Sequence, residues 1–435
     1  MSSSAWPADR QTIDDTHYRH SLAEFVDGRA VATRDAIYSS QGVKLVEQGM
    51  SIDRRLYERL LQHRLREPID THLTVDGAVD PRGLAAAARD LIRQAPLLQR
   101  MARALDDAEG LTSPLRALPL PPPMALKLTV MREQWPALFR HSLHMTLVSL
   151  FLGLRSGLDE AACVPLAAAA LLHDIGVLHM DPAWRDPGRR VAGAQRRELA
   201  AHPVTAMLLV RDQQVYPAEV EAAVLEHHEC LDGSGYPRGL RGEAISALGR
   251  ILLLAEVASA IYEKYEDIPA RRLSLVLRLN HRKYPPELVT LLLPLLREDA
   301  SSDLGSAPPE DAVQRAMADL ASAFEKWGEI TAALPPDIAE SRDEEALRFA
   351  ESRLRTLLRT LTEAGNHPEQ QSLLLEHLGD DIESLAELTL VGGEAWRELQ
   401  GLAHACQRLW PGLHERVSPG DAAVADWCDW LLSRA

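Results

Sequence analysis

The spacing of apolar residues changes character along this chain. The string Ile37-Tyr38-Ser39-Ser40-Gln41-Gly42-Val43-Lys44-Leu45-Val46 sets β-branched and aromatic residues on either side of Gln-Gly, which predicts a hairpin. Helical spacing follows around Arg54 to Arg66 and from Pro81 to Leu105, with Pro81 at the first turn of the second pattern. Pro119, Pro121, Pro122 and Pro123 crowd the segment Pro114 to Pro123, which predicts a stiff linker. From Met124 to about Arg297 apolar residues recur at i, i+3 and i+4, the mark of amphipathic helices. A second linker is expected over Asp299 to Pro309. Beyond it lie four or five amphipathic helices, several ended by Gly or Pro, as at Gly365, Gly379 and Pro411. The expectation is a mainly α protein in three parts: a small α+β module over 1–120, a helical domain over 124–298, and a helical region over 308–435.

Charge sharpens that division. The chain has 435 residues, 47 Lys+Arg, 63 Asp+Glu and a formal net charge of −16. Residues 301–435 hold 25 acidic and 11 basic side chains, whereas the first 300 hold 38 and 36. The excess acidity belongs to the last helices. Overall it argues against a general nucleic-acid binder, which needs exposed Lys and Arg to neutralise phosphates, and against docking on an anionic membrane. No apolar run approaches the roughly 20 residues that span a bilayer, and Met1-Ser2-Ser3-Ser4-Ala5-Trp6-Pro7 lacks the features of a signal peptide. Cys163, Cys230, Cys406 and Cys428 are scattered, without a CxxC or a disulfide framework. A reduced, cytoplasmic location is the expectation.

Candidate chemistry is concentrated in the middle. Seven of the sixteen histidines lie between His141 and His228. One cluster reads Leu171-Leu172-His173-Asp174-Ile175-Gly176. An adjacent His-Asp pair at the end of an apolar helix can present an imidazole and a carboxylate to one pocket, a donor mix suited to Fe, Mn or Zn. His141 lies upstream, His202-Pro203 and Glu226-His227-His228-Glu229 downstream. Taken singly, a histidine on a helix is more often an ordinary core or surface residue, and His144 and His179 are read that way.

The combination carries more. After His227 the chain continues HHECLDGSGYPRGLRGEAI, then Leu248-Gly249-Arg250-Ile251 and Ala255-Glu256-Val257-Ala258-Ser259-Ala260. From about Arg140 to Tyr262 the sequence resembles the HD-GYP family, a bacterial branch of the HD phosphohydrolase superfamily. The resemblance implies an all-helical domain holding two or three metal ions, usually iron or manganese, and hydrolysis of cyclic di-GMP to pGpG and GMP. Paired metals suit that reaction because they generate a nucleophile and neutralise the phosphodiester. By matching motif positions, Asp174 would bridge two divalent ions and, with His173, form the catalytic centre. His141 and His173 would hold one ion, while His202, His227 and His228 would hold the other. Glu256 takes the family's late aspartate position. Gly235, Tyr236 and Pro237 would form a loop beside the substrate, with Arg238 and Arg250 supplying charge. Arg185, Arg189, Arg190, Arg196 and Arg197 are further candidates, with a solvated charged face as the plain alternative. Cys230 is read as a packing residue.

Three departures bear on activity. The family's HDIGK is completed here by Val177, which removes a lysine expected to contact the scissile phosphate. Ser259 replaces a second acidic residue. Ala137 stands where some members carry a glutamate, which disfavours a third metal. Two readings follow: a metal-dependent cyclic di-GMP phosphodiesterase with reduced activity, or a degenerate domain that binds metal or nucleotide as a sensor or protein-interaction module. The GYP loop and the acidic C-terminal helices are candidate protein-partner surfaces, and a homodimer is compatible with the sequence. Trp327, Trp396, Trp410, Trp427 and Trp430 are expected to fill a core.

Overall fold

The structure, a computed structural model, describes residues 15–105, 109–185, 193–298, 310–339, 344–368 and 381–434. Its residues group into two compact units. The first takes in residues up to Glu229 together with Tyr236–Glu263; the second takes in Cys230–Gly235 and the chain from Lys264 onward.

In the first unit, helix α1 (Thr16–Gly28) precedes strands β1 (Val31–Thr33), β2 (Ile37–Tyr38), β3 (Lys44–Val46) and β4 (Ser51–Ile52), then α2 (Arg54–Leu61) and β5 (Leu73–Val75). β1 lies between β4 and β5 in an antiparallel sheet, and β2 pairs with β3 as the expected hairpin. Gly42 closes that hairpin at φ 81°, a conformation that costs glycine no steric clash. The helix expected over 54–66 stops at Leu61. The chain beyond it is drawn into extended pairing with the hairpin, where Ser40 N–H donates to Arg64 at 2.7 Å and Arg66 N–H to Tyr38 at 3.0 Å.

The long helix expected over 81–105 is two helices, α3 (Pro81–Gln94) and α4 (Pro96–Ala104). Pro96 clashes with a helical Ala95 and lacks an N–H to donate, so Ala95 turns extended at φ −99°, ψ 117°. Pro81 opens α3 as expected, with Asp80 capping it at Gly83 N–H, 2.6 Å. The proline-rich segment is also more helical than a linker. α5 (Ser113–Arg116) and α6 (Pro122–Gln134) occupy half of it because Pro114 and Pro122 sit at helix starts. Tyr216 Oη pins the remainder by donating to the Pro119 carbonyl at 2.9 Å. A buried ion pair, Lys127 of α6 with Asp70, ties the helices to the N-terminal strands.

α7 (Pro136–Arg155), α8 (Glu160–Leu172), α9 (Gly193–Leu199), α10 (His202–Asp212), α11 (Ala218–Glu226) and α12 (Ala247–Lys264) complete this unit. Two stretches here correct the expectation about apolar runs. α7 and the segment Glu160–His179 are each 20 residues long and apolar enough to cross a membrane, yet 72% and 78% of their most apolar windows are buried inside the protein. Their hydrophobicity is that of helices packed against each other at the centre of a core, as the all-round apolar surface of α8 requires.

The second unit is helical: α13 (Pro269–Leu279), α14 (Pro286–Glu298), α15 (Glu310–Ala332), α16 (Pro336–Ala339), α17 (Glu345–Glu363), α18 (Ile382–Leu409) and α19 (Pro419–Leu432). Trp327 and Trp427 meet edge to face at 5.5 Å in its core, and Trp427 Nε1 donates to the Ala323 carbonyl at 3.1 Å. Trp396, Trp410 and Trp430 pack against the same cluster, so all five tryptophans fill a core as expected. The linker expected at 299–309 and Gly379 lie outside the described residues.

Candidate metal centre

Five imidazoles and two carboxylates converge inside the first unit. They fall into two groups whose ligand atoms lie within 4.8 Å of one another: Asp174, His202, His227 and His228, and His141, His173 and Glu256. Asp174 adjoins both. Its Oδ1 is 3.1 Å from His202 Nε2 and 3.7 Å from His227 Nε2, and its Oδ2 is 3.3 Å from His173 Nε2. Glu256 Oε2 is 3.1 Å from His141 Nε2 and 3.7 Å from His173 Nε2. The structure brings together all seven residues that the sequence marks as candidate ligands.

One local device aims three of the imidazoles. His173 and His227 cap the C-terminal ends of α8 and α11, and their Nδ1 atoms sit 2.7 Å from the carbonyls of Ala170 and Val224. His202, at the start of α10, makes the same bond to Leu199 at 2.6 Å. A carbonyl can only accept, so each Nδ1 carries a proton and each Nε2 is the nitrogen turned to the centre. Helix ends supply such carbonyls because the last turn leaves them without an intrahelical partner.

His141 is aimed differently. Its Nδ1 meets Glu263 Oε2 at 2.8 Å, so a carboxylate orients the ring. Glu263 escaped the sequence reading. Its signal was the spacing Glu256–Ser259–Glu263, which puts three polar side chains on one face of α12, opposite His141 and His144 on α7. Between those helices His144 Nδ1 and Ser259 Oγ make a buried hydrogen bond of 3.0 Å. Ser259 thus has a partner of its own, and His144, read as an ordinary residue, is buried among core neighbours.

The electrostatics suit a cation. Burial pushes the Asp174 carboxyl up, but His173 and His202 hold it well below the usual carboxylate range. Burial likewise opposes ionisation of Glu256, yet the neighbouring His141 brings it down to about 2. Burial and adjacent histidines push His227 and His228 well below the ordinary imidazole value, so both are neutral at pH 7. Burial also disfavours charge on His141 and His173, but the carboxylates of Glu256 and Asp174 prevail and raise both. His173 Nε2 is buried without a hydrogen bond, facing two carboxylate oxygens. A divalent cation among these donors would resolve that orphaned nitrogen, and imidazole–carboxylate sets are suited to Fe, Mn and Zn.

Two glycines fix the geometry. A Cβ on Gly176 would stand 2.3 Å from the His202 carbonyl and 2.7 Å from Ala206 N, so no side chain fits where the turn after Asp174 crosses α10. A Cβ on Gly249 would meet Glu226 Oε2 at 2.6 Å. Glu226 needs that room: it pairs with Arg238 and accepts from Ser246 N–H at 2.8 Å. Glu229 accepts from the N–H groups of Arg238 and Leu240 at 2.7 and 2.9 Å. These two glutamates secure the chain after the GYP string, a role the sequence reading missed.

Of the expected substrate-side residues, Tyr236 lies against the centre. Its ring stacks on His228 at 4.7 Å, and its N–H donates to the His228 carbonyl at 3.0 Å. A cis peptide bond joins it to Pro237. The Arg238 guanidinium is engaged by Glu226, and Arg250 is half-buried on α12. Gly235 belongs to the second unit, and of the loop glycines it is Gly233, at φ 83°, that adopts the left-handed conformation. Val177 is buried at 2% exposure in the turn Ile175–His179. Cys230 is pushed up to about 11 by burial, consistent with a neutral packing residue. Arg189 and Arg190 lie outside the described residues, as does the side chain of Arg185, while Arg196 and Arg197 are exposed.

Comparison with known proteins places this geometry. Residues 127–278 match the model of the HD domain. A cyclic di-GMP phosphodiesterase from Pseudomonas aeruginosa is 32% identical over 169 residues, covering 37% of this chain and 40% of its own. A 3'3'-cGAMP-specific phosphodiesterase from Vibrio cholerae is 33% identical over 123 residues, covering 28% and 26%. The chain thus spans well under half the length of these relatives. A solved HDG"Y"P protein from Bdellovibrio bacteriovorus aligns at TM-score 0.34 and 15% identity, covering 62% of this chain and 97% of that one. Residues 127–278 form an HD domain. Its curated relatives are cyclic-dinucleotide phosphodiesterases, as the HD-GYP resemblance of its motifs implies.

Two expected outcomes follow from the site. Glu263→Gln keeps a hydrogen-bond partner for His141 but removes the charge that makes its imidazole a strong donor. Metal affinity, measured by competition with a chelator, should fall about tenfold; unchanged affinity would show that Glu263 does not orient this ligand. The second outcome concerns pH. Burial lowers His144 from 6.5 to about 4. Between those values the unfolded chain binds a proton that the folded chain refuses, so this contribution to stability is complete above pH 6.5 and is lost as pH falls toward 4. Its size is on the order of 3 kcal/mol. In urea titrations of the chelator-treated protein, His144→Leu should lose less stability from pH 7 to 4.5 than the parent; equal losses would contradict the assignment.

Proposed function

We propose that this protein is a metal-dependent phosphodiesterase that hydrolyses a cyclic dinucleotide, with cyclic di-GMP as first candidate, in bacterial second-messenger signalling. The observation that carries the reading is the pair of ligand groups adjoining Asp174. His141, His173 and Glu256 would hold one divalent ion and His202, His227 and His228 the other, with Asp174 shared between them. Iron or manganese is the proposed metal. When bound, the two ions would activate water and offset the charge of the scissile phosphodiester.

The chain's own contribution is orientation and exclusion of solvent. Three backbone carbonyls and Glu263 fix the imidazoles before any ligand arrives, which is the preorganisation electrostatic catalysis needs. Asp174 and Glu256 stay ionised although one is buried and the other half-buried. Tyr236, stacked on His228, puts an aromatic ring beside the centre, a group on which a nucleotide base can stack. The relatives named above act on cyclic di-GMP and 3'3'-cGAMP, which supports the substrate class.

One observation favours the second reading, a binding module without turnover. The position after His173-Asp174-Ile175-Gly176 is a buried valine, so the cation the family places there is missing. Loss of one such contact costs about 10²–10³ in rate in other enzymes.

The test is turnover of cyclic di-GMP and 3'3'-cGAMP by the protein loaded with Fe(II) or Mn(II). Activity above that of a His173→Ala/Asp174→Ala variant is expected, and its absence would overturn the enzyme reading in favour of binding alone. Val177→Lys should raise the residual rate at least about tenfold if it restores charge beside the phosphate. A flat or lower rate would mean the pocket has closed around Val177.

A further inference from the structure

Between His228 and Tyr236 the chain leaves one unit and returns. Glu229 and Tyr236 belong to the first unit, but Cys230–Gly235 belongs to the second, with the C-terminal helices. Within that unit the segment is held at almost every residue. Leu231 N–H donates to the Lys283 carbonyl at 3.0 Å. Asp232 Oδ1 accepts from Ser234 N–H at 2.9 Å and from its hydroxyl at 2.6 Å, closing a tight turn. Asp232 Oδ2 pairs with Arg353 of α17 at 3.0 Å, and the same guanidinium bonds the Asp232 carbonyl. Arg408 of α18 donates to the carbonyls of Ser234 at 2.6 Å and Gly235 at 3.2 Å.

The choice of acceptors is informative. Cations that join helices of this unit pair with carboxylates, as Arg272 does with Glu394 and Lys283 with Glu398. Arg353 adds to its Asp232 carboxylate a bond to that residue's carbonyl, and Arg408 directs donors at two further carbonyls of the same loop. A planar guanidinium fork that binds carbonyls fixes backbone conformation and orientation together. The grip is buried: Asp232 is 5% exposed at its side chain and Arg353 17%. Arg353 also lies over the Phe349 ring at 5.0 Å, which further restricts it.

We propose that Arg353 and Arg408 are positioning residues, through which the C-terminal helices set the conformation of loop 230–235 and hence how Tyr236 is delivered onto His228. The proposal rests on the phosphodiesterase reading only in taking Tyr236 to lie beside the substrate. It gives the last helices a defined task, control of the motif loop from within the same chain. Any partner or modification that competes for Arg353 or Arg408 would then alter substrate binding without touching a metal ligand.

The experiment compares the full chain with Arg353→Gln, Arg408→Gln and the double variant. Arg353→Lys and Arg408→Lys serve as milder changes that keep the charge but lose the fork. Three measurements are made on Mn(II)-loaded protein. Amide exchange of residues 231–236 should speed at least about tenfold in the glutamine variants. Manganese content should stay unchanged while the Mn(II) EPR spectrum shifts. KM for cyclic di-GMP should rise about tenfold with a smaller change in kcat, the pattern of lost substrate binding. Unchanged exchange and an unchanged spectrum would overturn the proposal, as would faster exchange with both the spectrum and the kinetics unaltered. If the parent protein hydrolyses no cyclic dinucleotide, the phosphodiesterase reading fails, and exchange with EPR still decides the loop's control. If a glutamine variant does not fold, the lysine variants decide by the same readouts.

Discussion

Two carboxylates that remain ionised, Asp174 buried and Glu256 half-buried, are the constraint around which the first unit is built. Placing Asp174 and Glu256 away from water opposes their charge, and the opposition is overcome by the imidazoles packed around them. Four of those imidazoles turn Nε2 inward and hold Nδ1 against an acceptor. Helix ends provide three of the acceptors and Glu263 a fourth. The placement of α8, α10, α11 and α12 is therefore bound to the chemistry of the centre. Each backbone acceptor lies three residues before its histidine, so the aim of the ring is set locally and travels with the helix end that carries it.

Much of this was legible in the chain. His173-Asp174, His202, His227-His228 and Glu256 stand out because residue type and order carry the chemistry, and seven candidate ligands converge in space. The hairpin over Ile37–Val46 and the tryptophan-filled C-terminal core were also readable, since local turn chemistry and bulk hydrophobicity determine them. What was not legible depends on partners distant in sequence. Glu263 acquires meaning only when α12 faces α7, and Glu226 and Glu229 only when the chain after Pro237 folds back over them. The break at Pro96 is a different case: the residue was visible, but the apolar spacing on either side concealed it. The stop at Leu61 came from strand pairing with the hairpin, which no helix signal could report.

The departures from the family pattern also gain physical content. Serine at 259 is matched by a neutral, buried His144; an acidic side chain there would favour a charged imidazole instead. The exchange at 259 thus alters the interior between α7 and α12, one turn from the donors themselves. The acidity of the last 135 residues likewise acquires a context. Amid that negative charge, two arginines hold a loop whose sequence belongs to the motif but whose contacts belong to the C-terminal helices.

Adjacent positions in the turn after Asp174 stand under opposite restrictions. Position 176 is closed by backbone on two sides, so any side chain would push the turn away from α10 and separate Asp174 from His202. Position 177 is buried and carries a valine side chain while the donors stay together. The architecture therefore lets rate and assembly drift apart. A lineage can exchange the charge that speeds a reaction and still inherit an intact cage, which is a route by which an enzyme could become a receptor for its former substrate.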